Sequence, residues 1–140
     1  MQIYVPYQNP LEIAKCLDKR RLASQIREAR LVLGGINGEN GWTRGPLYHM
    51  YKHHKVWLEL YILILEAWRT QTLNDLQNLV EKSMMLTPYF LTDEFCEHHK
   101  RRLYSRAPEK YPQFSHLGFS DENWYWENNR IIKYLNGKRL

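Results

Sequence analysis

Between Asp18 and Arg30, five of thirteen residues are Lys or Arg, and Glu28 sits among them. Leu22, Ile26, Ala29 and Leu33 recur at spacings of four, three and four, so a helix here buries one face. Arg21, Ser24, Gln25 and Glu28 then share an adjoining polar face, with Arg20, Arg27 and Arg30 in the same run. A carboxylate repels phosphate, so a surface built only to grip a polyanion has no use for Glu28; a surface that moves protons does. The plainer reading is a solvated face on which Glu28 pairs with Arg21 or Arg27.

The chain terminus offers a second reactive group. An α-amino group titrates at about 7.7–8.0, which leaves a neutral fraction near pH 7. A neutral amine can attack an electrophilic sugar carbon and form a Schiff base. Residues 1–8 read as an extended arm, with Ile3, Tyr4 and Val5 ahead of Pro6, and such an arm would hold the Met1 amine beside Glu28.

Two further clusters carry polar chemistry. His49 and His53 stand four residues apart on a helix, a zinc-site spacing, with Cys96, His98 and His99 elsewhere in the chain. Neither CxxC nor HExxH is present, so no metal is expected, and a metal-dependent nuclease built on these histidines is the reading that insensitivity to EDTA excludes. The run from His98 to Arg106 contains Lys100, Arg101, Arg102, Tyr104 and Arg106, which suits either a phosphate-tracking surface or a solvated helix end. Trp124-Tyr125-Trp126 could stack on bases or fill a core.

The elements that must position these groups read as helices. Asn9-Pro10-Leu11-Glu12 is a helix start, and Asp18 either caps a second helix or lies within a continuing one. Gly34-Gly35 is expected to stop the basic helix ahead of a mobile glycine-rich loop, residues 34–46. From Pro46, the residues Leu47, Met50, His54, Trp57, Tyr61, Ile64 and Trp68 keep one register, predicting a single helix of six turns. Thr72-Leu73-Asn74-Asp75 and Thr92-Asp93-Glu94 open two more, the latter turning Phe95, His99 and Leu103 inward. Ile131 to Leu135 fits helix or strand. The expectation is an all-α fold: one compact domain, residues 1–140, of three to five helices with long irregular loops and an aromatic C-terminal segment.

Composition bounds the rest. A net charge of +5, clustered along the chain, favours a polyanionic partner. Two cysteines and no signal-like segment point to a reducing cytoplasm. The most apolar stretch, Trp57 to Trp68, is interrupted by Glu59 and Glu66 and is too short to span a bilayer. No helix pairs a basic face with exposed bulky apolar residues, so a membrane partner is not expected.

The run Leu17-Asp18-Lys19-Arg20-Arg21-Leu22, followed by Gln25 and Arg27-Glu28, resembles the pyrimidine-dimer DNA glycosylase family. Further matches follow in order: Val5-Pro6-Tyr7, Gly41-Trp42, Pro46, Leu103-Tyr104, Pro108, Tyr111 and Trp124-Tyr125-Trp126. The resemblance implies an all-α, metal-free and cofactor-free monomer that flips a nucleotide out of damaged or abasic double-stranded DNA in a bacterial or phage-infected cell. It implies attack of the N-terminal amine on C1′, an imine, and β-elimination at the abasic site, with Glu28 assisting sugar opening. It also implies DNA contacts from Arg27, and by extension from Arg20, Arg21, Gln25 and Arg30, with Arg44, Lys100, Arg101 and Arg102 as further basic candidates. Gln2 is expected to prevent removal of Met1, which makes the Met1 amine the nucleophile. Arg44-Gly45 stands where relatives carry Asn-His before the loop proline. The alternative is a DNA-binding protein that kept the fold without the chemistry, as a phage regulator or counter-defence factor.

Overall fold

The computed structural model describes residues 2–140. An extended arm leads into α1 (Pro10–Cys16), α2 (Lys19–Ile36), α3 (Pro46–Tyr51), α4 (Lys55–Thr70), α5 (Leu76–Met85) and α6 (Asp93–Arg106). A 3₁₀ helix, Pro112–Leu117, then precedes three strands: β1 (Glu122–Glu127), β2 (Arg130–Leu135) and β3 (Lys138–Arg139). Among the described residues, no helix is long and apolar enough to cross a membrane.

The helix starts follow the cap chemistry. Asn9 accepts from the Leu11 amide with Pro10 at the first helical position, and Asp18 accepts from the Arg21 amide, so α1 and α2 are separate helices. Thr92 caps α6 through the Phe95 amide. Asp75, by contrast, opens α5 in the left-handed region with no side-chain cap bond, so the helix expected after Thr72-Leu73-Asn74-Asp75 forms without one.

The all-α expectation is overturned by the C-terminal sheet. β1 pairs antiparallel with β2, Tyr125 opposite Ile132, and β2 pairs with β3, Tyr134 opposite Arg139. The first turn is Asn128-Asn129, with φ of 52° and 63°, and the second is Asn136-Gly137, with φ of 51° and 78°. Two consecutive positive φ values match the right-handed twist of flanking strands, and Asn and Gly tolerate them best. Trp124, Tyr125 and Ile132 bury the inner part of this sheet. The expected count of three to five helices is likewise too low, since the described residues form six α-helices and a 3₁₀ turn.

Two helix boundaries also differ. Gly34 and Gly35 lie inside α2, both buried, because the returning loop packs where their side chains would stand. The predicted six-turn helix is broken at residues 52–54: His54 adopts φ −127° and ψ 36° and begins α4. The break lets Tyr51 stack on Trp57 at 6.1 Å while both rings stay buried. Leu47 and Met50 in α3, with Trp57, Leu58 and Tyr61 in α4, still face one core, which explains the shared register. That core also takes Ile3 and Val5 of the arm, Leu22 and Ile26 of α2, and Phe95 and Leu103 of α6.

Candidate active-site cleft

The N-terminal arm is held against α2, α4 and α6 by side chains instead of by a neighbouring strand. The Tyr4 amide donates to Gln25 Oε1 at 2.7 Å, and Gln25 Nε2 donates to the Gln2 carbonyl at 2.9 Å. The Tyr61 hydroxyl of α4 donates to the Tyr4 carbonyl at 3.2 Å, and His99 Nδ1 of α6 accepts from the Val5 amide at 3.0 Å. Ile3 and Val5 point into the core, so the backbone between them has no water to bond and must find these partners.

This arrangement brings the arm's first described residue to Glu28. The Gln2 amide donates to Glu28 Oε2 at 3.4 Å, and Gln25 Nε2 donates to the same oxygen at 3.4 Å. Met1 itself lies outside the described residues.

A cleft of about 450 Å³ opens over this contact, lined by Gln2, Tyr4, Arg20, Arg21, Ser24, Gln25, Glu28, Arg102, Arg106 and Asn123. Four guanidinium groups from α2 and α6 thus share a concave wall with one carboxylate. Arg21 is oriented by Asp18, which it pairs with at 3.1 Å, and lies over the Tyr111 ring at 5.8 Å. Burial pushes the Asp18 carboxyl up, but hydrogen bonds from Tyr111 and Arg21, with the Arg21 charge, outweigh it and hold the group below its ordinary range. Arg102 is largely buried and donates to the Ser120 carbonyl at 2.7 Å, which fixes its guanidinium at the cleft edge.

The structure thus gathers Arg20, Arg21, Gln25, Glu28 and Arg102 around one space. Gln25, however, is 2% exposed, so its side chain faces the arm. Arg27 and Arg30 line a different groove with Glu66 and Arg69; Arg30 pairs with Glu66 at 3.5 Å, and Arg27 donates to Ser24 at 3.3 Å. Neither Arg21 nor Arg27 pairs with Glu28. Arg44 is exposed in the loop before α3. Lys100 sits over the Tyr7 ring at 4.6 Å on another side of α6, and Arg101 donates to the Leu117 carbonyl at 2.9 Å.

The histidines divide in the same way. His49 and His53 line a cleft of about 700 Å³ between α3 and the sheet. His98 and His99 are buried: His98 stacks on Trp124 at 3.9 Å and bonds the Glu122 carbonyl at 2.8 Å. Of the phosphate-tracking run, only Arg102 and Arg106 reach the Glu28 cleft. Sequence reasoning missed Tyr4, Tyr61 and Asn123. Tyr61 occupies the apolar stripe, where its hydroxyl carries no periodic signal, and Asn123 arrives through a sheet that was not foreseen.

A sequence profile described as pyrimidine dimer DNA glycosylase matches residues 1–75 of the chain, which contain the arm, α2 and Glu28. No curated protein and no solved structure matches it. Arg102, Arg106 and Asn123 complete the cleft from beyond the matched segment.

Proposed function

The chain belongs to the pyrimidine dimer DNA glycosylase family, and from that premise we propose that it is a glycosylase with associated abasic-site lyase activity, acting as a monomer on damaged double-stranded DNA. The observation that carries this reading is the contact between the Gln2 amide and Glu28 Oε2 at 3.4 Å. Gln2 follows Met1 in the chain, and its contact with Glu28 is what supports a role for the terminal amine in chemistry at that carboxylate.

In this mechanism the lone pair of the neutral Met1 amine bonds to C1′ of an extruded nucleotide while the bond from C1′ to the base breaks. The bonding electrons leave with the base, which takes up a proton. Glu28 stabilises the cationic charge that develops on the sugar, because an oriented carboxylate in a restricted cleft acts more strongly than one in water. The carboxylate then accepts a proton from the attached nitrogen and returns it to O4′ as the ring opens to the imine. Loss of a C2′ proton expels the 3′ phosphate and cuts the strand. Arg20, Arg21 and Arg106 hold the flanking phosphates, with the buried Arg102 adding its charge behind them, and extrusion of the nucleotide gives the amine access to C1′.

The test is trapping with borohydride on duplex containing a cyclobutane dimer or an abasic site. The reading expects a covalent complex whose peptide map places the DNA on Met1. No adduct at any pH from 6 to 9 overturns it.

A further inference from the structure

Every hydrogen-bonding position of the Gln25 side chain is engaged. A primary amide offers two N–H donors and an oxygen with two lone pairs. Here Nε2 donates to the Gln2 carbonyl at 2.9 Å and to Glu28 Oε2 at 3.4 Å. The oxygen accepts from the Tyr4 amide at 2.7 Å and, at 3.4 Å, shares the single Tyr61 hydroxyl hydrogen with the Tyr4 carbonyl. One buried side chain therefore grips the arm at two backbone groups and the carboxylate at a third point.

We propose that Gln25 is a positioning residue that sets where the chain's terminal amine stands relative to Glu28, and that it is not a DNA contact despite lying on the basic helix. This rests on the Schiff-base reading above. Two features of the geometry favour it. First, Gln25 and Glu28 are one helical turn apart on α2, so their separation is fixed by the helix backbone. A single amide linking Gln2 and Glu28 then removes the slack that a free arm would have. Second, 2% exposure leaves the amide no face to offer a phosphate. Tyr61 acts on the same unit from α4, because its hydroxyl meets both the Tyr4 carbonyl and Gln25 Oε1. Without the Gln25 amide, the Tyr4 N–H and Gln2 C=O lose their partners, and the arm keeps only the longer Gln2–Glu28 bond to α2.

Gln25→Met keeps the length and bulk of the side chain and deletes the amide; Tyr61→Phe is a milder cut at the same unit and serves where Gln25→Met folds poorly. Each is compared with the wild-type chain in three measurements: affinity for duplex carrying a non-reactive abasic analogue, single-turnover adduct formation on saturating abasic duplex, and the NMR titration of the isotopically methylated α-amine. The proposal expects affinity within about twofold of wild type, and an adduct rate lowered on the order of tenfold to a hundredfold in Gln25→Met. It also expects the amine to titrate at lower pH in that variant, as the ammonium loses its carboxylate neighbour. A matching fall in affinity makes Gln25 a DNA contact and overturns the proposal, as does an unchanged adduct rate. If the wild-type chain forms no adduct, the Schiff-base reading fails, and the amine titration alone decides: equal midpoints in wild type and variants then overturn the positioning role.

Discussion

His99 Nδ1 accepts the Val5 amide hydrogen at 3.0 Å, tying the arm to α6 through a side chain that is only 1% exposed. Accepting at that nitrogen requires a neutral ring. Burial, with the nearby His98 and Arg102, pushes the His99 pKa down to about 3. Burial also takes His98 down to about 4, against the bond to the Glu122 carbonyl and with help from Arg101 and Arg102.

These two rings make stability fall in mild acid. In the unfolded chain a histidine titrates near 6.5, so below that pH the unfolded state binds protons that the native state refuses. The stability is fully present above about pH 6.5, and each ring removes about 1.4 kcal/mol per pH unit below it until its native pKa is reached. Denaturant unfolding from pH 7 down to 4.5 should lose roughly 4–5 kcal/mol. His98→Phe, which keeps a ring against Trp124, should be less stable at pH 7 but show about half the slope. An equal slope in the variant would place the acid sensitivity elsewhere.

Arg20 and Arg30 lie on the same helix but serve different surfaces. Arg20 is exposed on the cleft wall with Glu28, whereas Arg30 pairs with Glu66 at 3.5 Å on another face. Each phosphate neutralised contributes about 0.9 to the slope of log affinity against log salt. Arg20→Ala should therefore weaken duplex binding and lower that slope by about 0.9, while Arg30→Ala leaves both nearly unchanged. Fluorescence anisotropy across a salt series measures both quantities, and equal effects from the two variants would mean the DNA footprint covers both faces.

Gly35 is held to glycine by a close approach and not by a helix stop. A Cβ there would stand 1.9 Å from the Trp42 carbonyl oxygen, a backbone atom that no rotamer change can move. Alanine gains up to about 1 kcal/mol in helix propensity, but the overlap forces the loop off α2. Gly35→Ala should lose about 1–3 kcal/mol by thermal or denaturant unfolding. Gly41→Ala is the control, because its Cβ would meet nothing within 4 Å. A Gly35→Ala protein as stable as wild type would mean the loop does not pack on the helix.

That glycine pair shows where the sequence could and could not be read. Caps and apolar period are local, so Asn9 and Thr92 announced their helices, Asp18 fitted either a cap or a continuing helix, and the stripe Leu22-Ile26-Ala29 fixed which side of α2 carries Glu28. Gly34-Gly35 reads locally as a stop, and only the tertiary approach of Trp42 makes it helical. The α3–α4 break was hidden because two helices facing one core preserve one register across a turn. The sheet was not expected: Ile131 to Leu135 fits helix or strand when read alone, and only its pairing with Glu122–Glu127 across the Asn128-Asn129 turn makes it a strand. The arm's contact with Glu28 could be guessed from chemistry, but its fastening by Gln25, Tyr61 and His99 depends on three helices meeting, which no spacing encodes.

Glu28→Gln separates chemistry from binding at the centre of the cleft. The substitution is nearly isosteric, and the new amide oxygen can still accept from Gln2 and Gln25, so the arm should stay in place. What disappears is the negative charge and the ability to carry a proton. Removing one such group from a preorganised site typically costs about 10²–10³ in rate, and adduct formation on abasic duplex should fall by that order. Affinity should hold or rise, because the cleft then presents Arg20, Arg21 and Arg106 to phosphate, with the buried Arg102 behind them and no opposing carboxylate. Single-turnover trapping paired with anisotropy on the same duplex tests both halves. A variant that traps as fast as wild type would remove Glu28 from the chemistry, and one that binds far more weakly would make it a structural support for the cleft.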